Sequence, residues 1–97
     1  MPSEPVDADP AYAVPFRLRR EPRSSQYLLT NASAETLDGV DLTLHGTGLM
    51  STSAPARLDP GDTLAVTIVG EDLALNTILV VRWFRPNGVE YLWRISF

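Results

Sequence analysis

Few side chains in this sequence could carry chemistry, and His45 is the only histidine among them. A histidine can act as a general base or bind a metal, but both roles need partners at a suitable spacing. Asp41 lies on the same predicted strand, and four residues at about 3.3 Å each place the two side chains about 13 Å apart. They cannot share one metal ion, and no Gly-x-Ser-x-Gly segment presents a serine nucleophile. We therefore predict that His45 is a solvent-exposed strand residue.

Other short motifs with a known chemistry are explained more simply by turns. Asp59 and Asp62 could bind calcium, but Asp59-Pro60-Gly61-Asp62 has the proline and glycine typical of a type II turn, and no further ligands follow at EF-hand spacing. The segment Gly46-Thr47-Gly48 is too short for a dinucleotide-binding loop. The absence of cysteine and lysine excludes disulfides, thiol catalysis and a Walker-type phosphate loop. We predict no catalytic, cofactor-binding or metal-binding residues and no enzyme activity.

The charge balance argues against nucleic acid as a partner. Eight arginines and twelve acidic residues give a net charge of −4, whereas duplex binding normally requires a basic excess. No apolar run approaches the roughly 18 to 20 residues of a membrane-spanning helix. The N-terminal residues show neither the basic end nor the apolar stretch of a secretory signal. These features predict a cytoplasmic protein that binds neither nucleic acid nor membranes.

The first fourteen residues differ in composition from the rest of the chain. They contain several prolines, three acidic residues and no basic residue. Proline removes backbone donors, and few side chains in this segment could be buried. We expect a flexible acidic tail over residues 1–14, in which Tyr12 and Val14 could dock on the domain. A single domain is predicted over residues 15–97.

From Pro15 onward the sequence predicts β-strands. Apolar residues alternate with mostly polar or small residues at 40–45 and 64–69, the period of a half-buried strand. Further strands are predicted at 16–19, 26–31 and 77–85, with a short one near Leu49-Met50 and a loop or single helical turn at 71–76. This spacing, with no long helix, favours an all-β fold, an antiparallel β-sandwich of six to seven strands.

The segment Pro86-Asn87-Gly88-Val89 lies between two apolar runs and predicts a β-hairpin. Asn-Gly is the preferred dipeptide of a two-residue hairpin turn, because both turn positions adopt positive φ. Such a turn fixes the register of the two strands that it joins. The predicted facing pairs are Arg85 with Glu90, Phe84 with Tyr91, Trp83 with Leu92, and Arg82 with Trp93.

Three segments of turn and strand follow one another in a defined order. They are Leu29-Thr30-Asn31-Ala32-Ser33, Val40-Asp41-Leu42-Thr43-Leu44 and Leu58-Asp59-Pro60-Gly61. Over about residues 27–69 the sequence resembles bacterial immunoglobulin-like domains of the adhesion-related CARDB type, although Ser33 stands where that family often has glycine. The resemblance implies an immunoglobulin-like β-sandwich with no catalysis, and it indicates no substrate.

In the predicted register, both faces of the hairpin carry many apolar side chains. The face assigned to the core consists of Ile78, Val80, Arg82, Phe84, Tyr91, Trp93, Ile95 and Phe97. The opposite face consists of Leu79, Val81, Trp83, Arg85, Glu90, Leu92, Arg94 and Ser96. A sheet face open to water is normally polar, so we expect this second face to be covered. The candidates are the 1–14 tail, the 46–56 loop, a second copy of the chain and an external protein.

This second face is the predicted site of function. Tryptophan and arginine are the residue types that dominate binding hot spots, which favours a non-catalytic interaction or scaffolding module that binds a protein partner or forms a homodimer. The predicted partner-binding residues are Leu79, Val81, Trp83, Arg85, Leu92 and Arg94. A β-sandwich that binds a small ligand or carbohydrate through its aromatic rings is the alternative, and an enzyme site formed between two chains at His45 is a third hypothesis.

Overall fold

A computed structural model of the chain describes residues 12–97. These residues form eight β-strands and one helical turn. In chain order they are β1 (Phe16–Arg20), β2 (Gln26–Asn31), β3 (Leu37–Gly46), β4 (Leu49–Thr52), β5 (Ala56–Leu58), β6 (Thr63–Val69), α1 (Leu73–Asn76), β7 (Thr77–Phe84) and β8 (Glu90–Ser96). No helix within residues 12–97 is long and apolar enough to cross a membrane.

The strands form two four-stranded antiparallel sheets. The first sheet has the order β1-β2-β6-β4, and the second has the order β5-β3-β7-β8. Buried apolar side chains from both sheets form one hydrophobic core, so the sheets pack face to face as in a β-sandwich. The predicted all-β antiparallel fold is confirmed, but the described residues form eight strands instead of the predicted six to seven.

Buried and exposed side chains alternate along β6, which lies between β2 and β4 in the first sheet. Leu64, Val66 and Ile68 are buried, whereas Ala65 and Val69 are exposed. Successive strand side chains point to opposite faces, so one apolar set enters the core and the other set meets water. The strand that was predicted at 64–69 is confirmed, and so is the one predicted at 26–31.

The turn predicted at Asp59-Pro60-Gly61-Asp62 is also confirmed. The Asp62 N–H donates to the Asp59 carbonyl at 2.9 Å, and Gly61 has a φ of 88°. A type II turn requires positive φ at its third position, where glycine carries no steric cost. The turn leads the chain from β5 in the second sheet to β6 in the first.

The connection between β7 and β8 corrects the predicted register. Gly88 N–H donates to the Arg85 carbonyl at 2.8 Å, and Arg85 N–H donates to the Val89 carbonyl at 3.0 Å. The loop therefore contains the three residues 86–88, and Trp83 faces Tyr91 instead of Leu92. Pro86 is the physical reason, because its fixed negative φ suits the second position of a type I turn. Gly88, with a φ of 83°, then completes a three-residue loop.

Because the register is shifted by one residue, the predicted core face and the predicted outer face of β7 are exchanged. Leu79, Val81 and Trp83 are at most 2% exposed and lie in the core, whereas the set predicted to fill the core from β7 points outward. That outward set consists of Ile78, Val80, Arg82 and Phe84. On β8 the prediction is confirmed, since Tyr91, Trp93 and Ile95 pack against the core. Because both faces of β7 are apolar, alternation in the sequence could not decide between them.

A bulge in β3 shapes the sheet beside Phe84. The pairing of β3 with β7 shifts between Asp38 and Asp41, and Gly39 at the bulge has a φ of 54°. A Cβ placed on Gly39 would lie 3.0 Å from the Phe84 ring. The ring therefore lies directly on the glycine backbone, which explains why Phe84 is half-buried on an outer face.

Candidate functional site

The side chains of β7 and β8 that point away from the core form one continuous surface. We call it the hairpin outer face, and it consists of Ile78, Val80, Arg82, Phe84, Glu90, Leu92 and Arg94. The first sheet packs against the opposite side of β7. Among the described residues, no other element packs on the hairpin outer face, which is directed away from the core.

The hairpin outer face has an apolar centre. Ile78, Val80 and Phe84 are half-buried by their strand neighbours, and Leu92 on β8 is 64% exposed. A single exposed leucine is ordinary on a protein surface. A row of apolar side chains along a central strand is less common, because the solvent side of an antiparallel sheet is normally polar.

Charged side chains border this apolar row. The Arg82 guanidinium lies 3.7 Å from the Asp41 carboxylate and 3.4 Å from the Glu90 carboxylate. These pairs are about half exposed and contribute little to stability. Arg94 faces Val80 across the ladder and makes no ion pair with any of the described residues. Within residues 12–97, the face therefore presents a cation beside Leu92 that has no ion-pair partner.

The structure separates the six predicted partner-binding residues into three places. Leu92 and Arg94 lie on the hairpin outer face, as predicted. Arg85 lies at the end of β7 in a network within the chain. The remaining residues, Leu79, Val81 and Trp83, are buried in the core, so their predicted placement on the face opposite the core is wrong. Sequence reasoning missed Ile78, Val80 and Phe84, whose apolar character was visible but was assigned to the core.

Trp83 anchors an aromatic cluster at the end of the core. Its Nε1–H donates to the Tyr12 hydroxyl at 3.1 Å, its ring meets Phe16 edge-on at 5.0 Å between centroids, and it stacks on Tyr91 at 5.9 Å. The pKa of the Tyr12 hydroxyl is raised, chiefly by burial. Of the predicted 1–14 tail, residues 1–11 lie outside the described residues, and Tyr12 packs on the core.

Arg85 holds this cluster to the loop between β2 and β3. Its guanidinium lies 3.9 Å from the centroid of the Tyr12 ring. It also donates to both carboxylate oxygens of Glu35, at 3.0 Å from Nε and 2.9 Å from Nη2. Such a bidentate pair fixes geometry as well as charge. Arg85 therefore joins three separate parts of the chain instead of bordering a binding surface.

Glu35 gives this network a pH dependence. Its hydrogen bonds from Arg85 favour the carboxylate and lower the pKa below the ordinary value of 4.5. A lowered folded-state pKa stabilises the protein above the unfolded-state value, and that stabilisation is lost as pH falls through the folded-state pKa. We expect the difference in unfolding free energy between wild type and Glu35→Gln to narrow as pH falls below 4.5.

Urea unfolding at a series of acidic and neutral pH values measures this difference. Glu71→Gln is the matched control, because Glu71 is exposed and makes no ion pair among the described residues. Its difference from wild type should stay flat. A Glu35→Gln difference that is equally flat would contradict the role given to the Arg85–Glu35 pair.

A second surface feature is a cleft between the edge strands β1 and β8. It has a volume of about 320 Å³ and is mostly apolar. Tyr27 and Phe97 meet edge-on within it at 5.8 Å between ring centroids, and the Arg20 guanidinium lies 5.9 Å from the centroid of the Tyr27 ring. The lining residues are Leu18, Arg20, Tyr27, Leu73, Ala74, Ile95, Ser96 and Phe97.

The polar residues considered for catalysis or metal binding lie apart. His45 is exposed at the end of β3, as predicted, and faces Ile78. Asp59 and Asp62 bond within their own turn, where the Asp62 carboxylate accepts from the Asp59 N–H at 2.9 Å. Within residues 12–97, no three His, Asp or Glu side chains come close enough to hold a metal ion.

Comparisons with protein-family models, with curated proteins and with solved structures find no match to this chain.

Proposed function

We propose that this protein is a non-catalytic interaction module, a cytoplasmic immunoglobulin-like β-sandwich that binds a protein partner or a second copy through the hairpin outer face. The observation that carries the proposal is the composition of this surface. It combines a half-buried apolar row, a leucine that is 64% exposed and a cation, Arg94, that forms no ion pair with the part of the chain that the structure describes. Aromatic and arginine residues are enriched at protein interfaces, and Phe84, Arg82 and Arg94 are of these types.

The strand order supports the immunoglobulin-like part of the proposal. In such domains strands A, B, E and D form one sheet, and C, F and G form the other. Here β1, β2, β6 and β4 have the first arrangement, and β3, β7 and β8 have the second, with β5 added beside β3. One difference is that the buried tryptophan, Trp83, lies on β7, whereas antibody domains carry theirs on the strand equivalent to β3.

Val80→Arg tests the proposed surface. Val80 lies in the middle of the apolar row, and a charged side chain there should prevent desolvation of the face. We expect tagged wild-type protein to retain a specific protein from a cell lysate, and Val80→Arg to retain about tenfold less or none. Quantitative mass spectrometry of the retained proteins measures the difference.

Two further variants control for non-specific effects. Ala65→Arg places the same charge on the solvent face of the other sheet and should leave retention unchanged. Thr43→Arg alters the exposed neighbour of Val80 on β3 and should repeat the loss if Val80→Arg fails to fold. Equal retention by wild type and by folded Val80→Arg, with the oligomeric state of the protein also unchanged, would contradict the proposal.

The cleft between β1 and β8 supports a second candidate, a module that binds a small apolar ligand. Its apolar lining and the Arg20 guanidinium fit an apolar molecule that carries a negative charge. Carbohydrate is less well supported, because Trp83 is buried and Trp93 lies parallel to Phe16 at 6.5 Å between centroids. The same variants separate the two candidates, since a function located in the cleft would be unaffected by Val80→Arg.

A further inference from the structure

Among the four sheet edges formed by residues 12–97, β8 is the one most open to another strand. The other edge strands β1, β4 and β5 contain five, four and three residues. β8 contains seven residues, with no proline and no break in its pairing with β7. Natural proteins usually shorten or interrupt edge strands, because a long regular edge is a template for pairing with another chain.

The backbone groups on the open side of β8 belong to alternate residues. Antiparallel partners exchange hydrogen bonds at every second residue. The bond from Arg85 N–H to the Val89 carbonyl sets the phase, so Tyr91 and Trp93 bond to β7. The N–H and C=O groups of Glu90, Leu92 and Arg94 therefore point away from β7, toward the open edge.

The sequence of β8 is complementary to itself about Leu92. Glu90 and Arg94 lie two residues to either side, with opposite charges, and Tyr91 and Trp93 lie one residue to either side, both aromatic. If a second β8 runs antiparallel with Leu92 facing Leu92, each Glu90 faces an Arg94. Each Tyr91 likewise faces a Trp93. Opposite charges and aromatic pairs directly across strands are stabilising.

Pairing centred on Leu92 also places the outward backbone donors and acceptors of the two strands opposite each other. Leu92 carries outward N–H and C=O groups, so two facing copies of Leu92 can exchange both hydrogen bonds. The same holds for each Glu90 with the Arg94 opposite. Moving the centre by two residues would set Glu90 against Glu90, or Arg94 against Arg94, and facing like charges are destabilising.

We infer that two copies of this chain pair along β8, antiparallel and centred on Leu92, so that their second sheets join into one continuous sheet. This inference goes beyond the proposed function, because it concerns the edge of β8 and not the hairpin outer face, and it names the partner as a second copy. Pairing would cover the exposed Leu92 with its counterpart and would give Arg94 an acidic partner. The two hairpin outer faces would then lie side by side on one surface.

Charge reversal at both ends of the paired segment tests the inference. Glu90→Arg sets arginine against Arg94 of the other copy, and Arg94→Glu sets glutamate against Glu90. Each change occurs twice in a symmetric dimer, so we expect each variant alone to dissociate about a hundredfold more readily than wild type. Analytical ultracentrifugation of the full chain over a hundredfold range of concentration measures the dissociation constants.

The two variants should rescue each other. A mixture of Glu90→Arg and Arg94→Glu restores opposite charges at every pair and should form a heterodimer of wild-type affinity. The double variant should do the same as a homodimer. Leu92→Pro removes an outward N–H and spares the ladder to β7, so the fold should survive while the protein becomes monomeric.

The outcomes of these experiments distinguish pairing along the β8 edge from binding through the hairpin outer face. A monomeric wild type, or a dimer that is unaffected by all three β8 substitutions, would overturn pairing along β8. If the β8 substitutions leave the dimer unchanged but Val80→Arg abolishes it, the result would still support the proposed binding through the hairpin outer face. Circular dichroism of each variant establishes that it is folded, and the rescue by mixing does not depend on Leu92→Pro.

Discussion

Replacing Trp83 with alanine is expected to lower the free energy of unfolding by about 3–5 kcal/mol, the range for a buried aromatic residue. The indole is only 2% exposed and fills the end of the core between the two sheets. Its removal would leave a cavity beside Phe16 and Tyr91 and would leave the Tyr12 hydroxyl without its indole donor. Urea unfolding followed by circular dichroism measures the loss.

Leu92→Ala is the matched control for this prediction. The two-residue turn predicted from the sequence would place Leu92 opposite Trp83 on one face, whereas the structure places Leu92 on the hairpin outer face. An exposed leucine should cost about 0.5 kcal/mol or less on truncation at a concentration where the protein is monomeric. Similar losses for the two variants would contradict the register of β7 and β8.

Asn31→Ala is expected to cost about 3 kcal/mol, because it removes the side-chain hydrogen bonds of one buried and two partly buried backbone groups. Asn31 is fully buried at the end of β2. Its amide donates to the Glu35 carbonyl at 2.7 Å and to the Leu58 carbonyl at 2.9 Å. Its side-chain oxygen accepts from the Ser33 N–H at 3.0 Å. One side chain thus joins the loop after β2 to the end of β5, in the other sheet.

Two variants define the origin of this loss. Asn76→Ala removes an exposed asparagine at the end of α1 and should change the unfolding free energy by less than about 0.5 kcal/mol. Asn31→Asp keeps the size and the acceptor but lacks both donors, so it should be as destabilising as Asn31→Ala at neutral pH. Full stability of Asn31→Asp would contradict the role given to the two amide hydrogen bonds.

Elements with one apolar face could be predicted from the sequence. The strand at 64–69 alternates cleanly between apolar and polar or small residues, and the turn at Asp59-Pro60-Gly61-Asp62 has its signature in four adjacent residues. Both depend on local chemistry alone. The strand at 26–31 is similarly bounded by Ser24-Ser25 and Ala32-Ser33, residue types typical of turns.

Features that depend on distant residues could not be predicted. Nothing in the sequence identifies Leu58 as the hydrogen-bond partner of Asn31, or Glu35 as the partner of Arg85. The register of the hairpin is a different case: β7 is apolar on both faces, so alternation could not resolve the register, and only the local turn residues could. Pro86 before Asn87-Gly88 favours a type I turn, and that residue carried the information that was missed.

Pairing of two copies requires that one side of β8 bond to β7 and that its other side be open to a partner. Amide hydrogen exchange, resolved to single residues by nuclear magnetic resonance at low and high protein concentration, tests this directly. At low concentration the amides of Tyr91 and Trp93 should exchange slowly, while those of Glu90, Leu92 and Arg94 should exchange quickly. At high concentration these three amides should become protected as a second copy pairs with them. Protection of these three amides that is already complete at low concentration, or that never rises with concentration, would contradict the account.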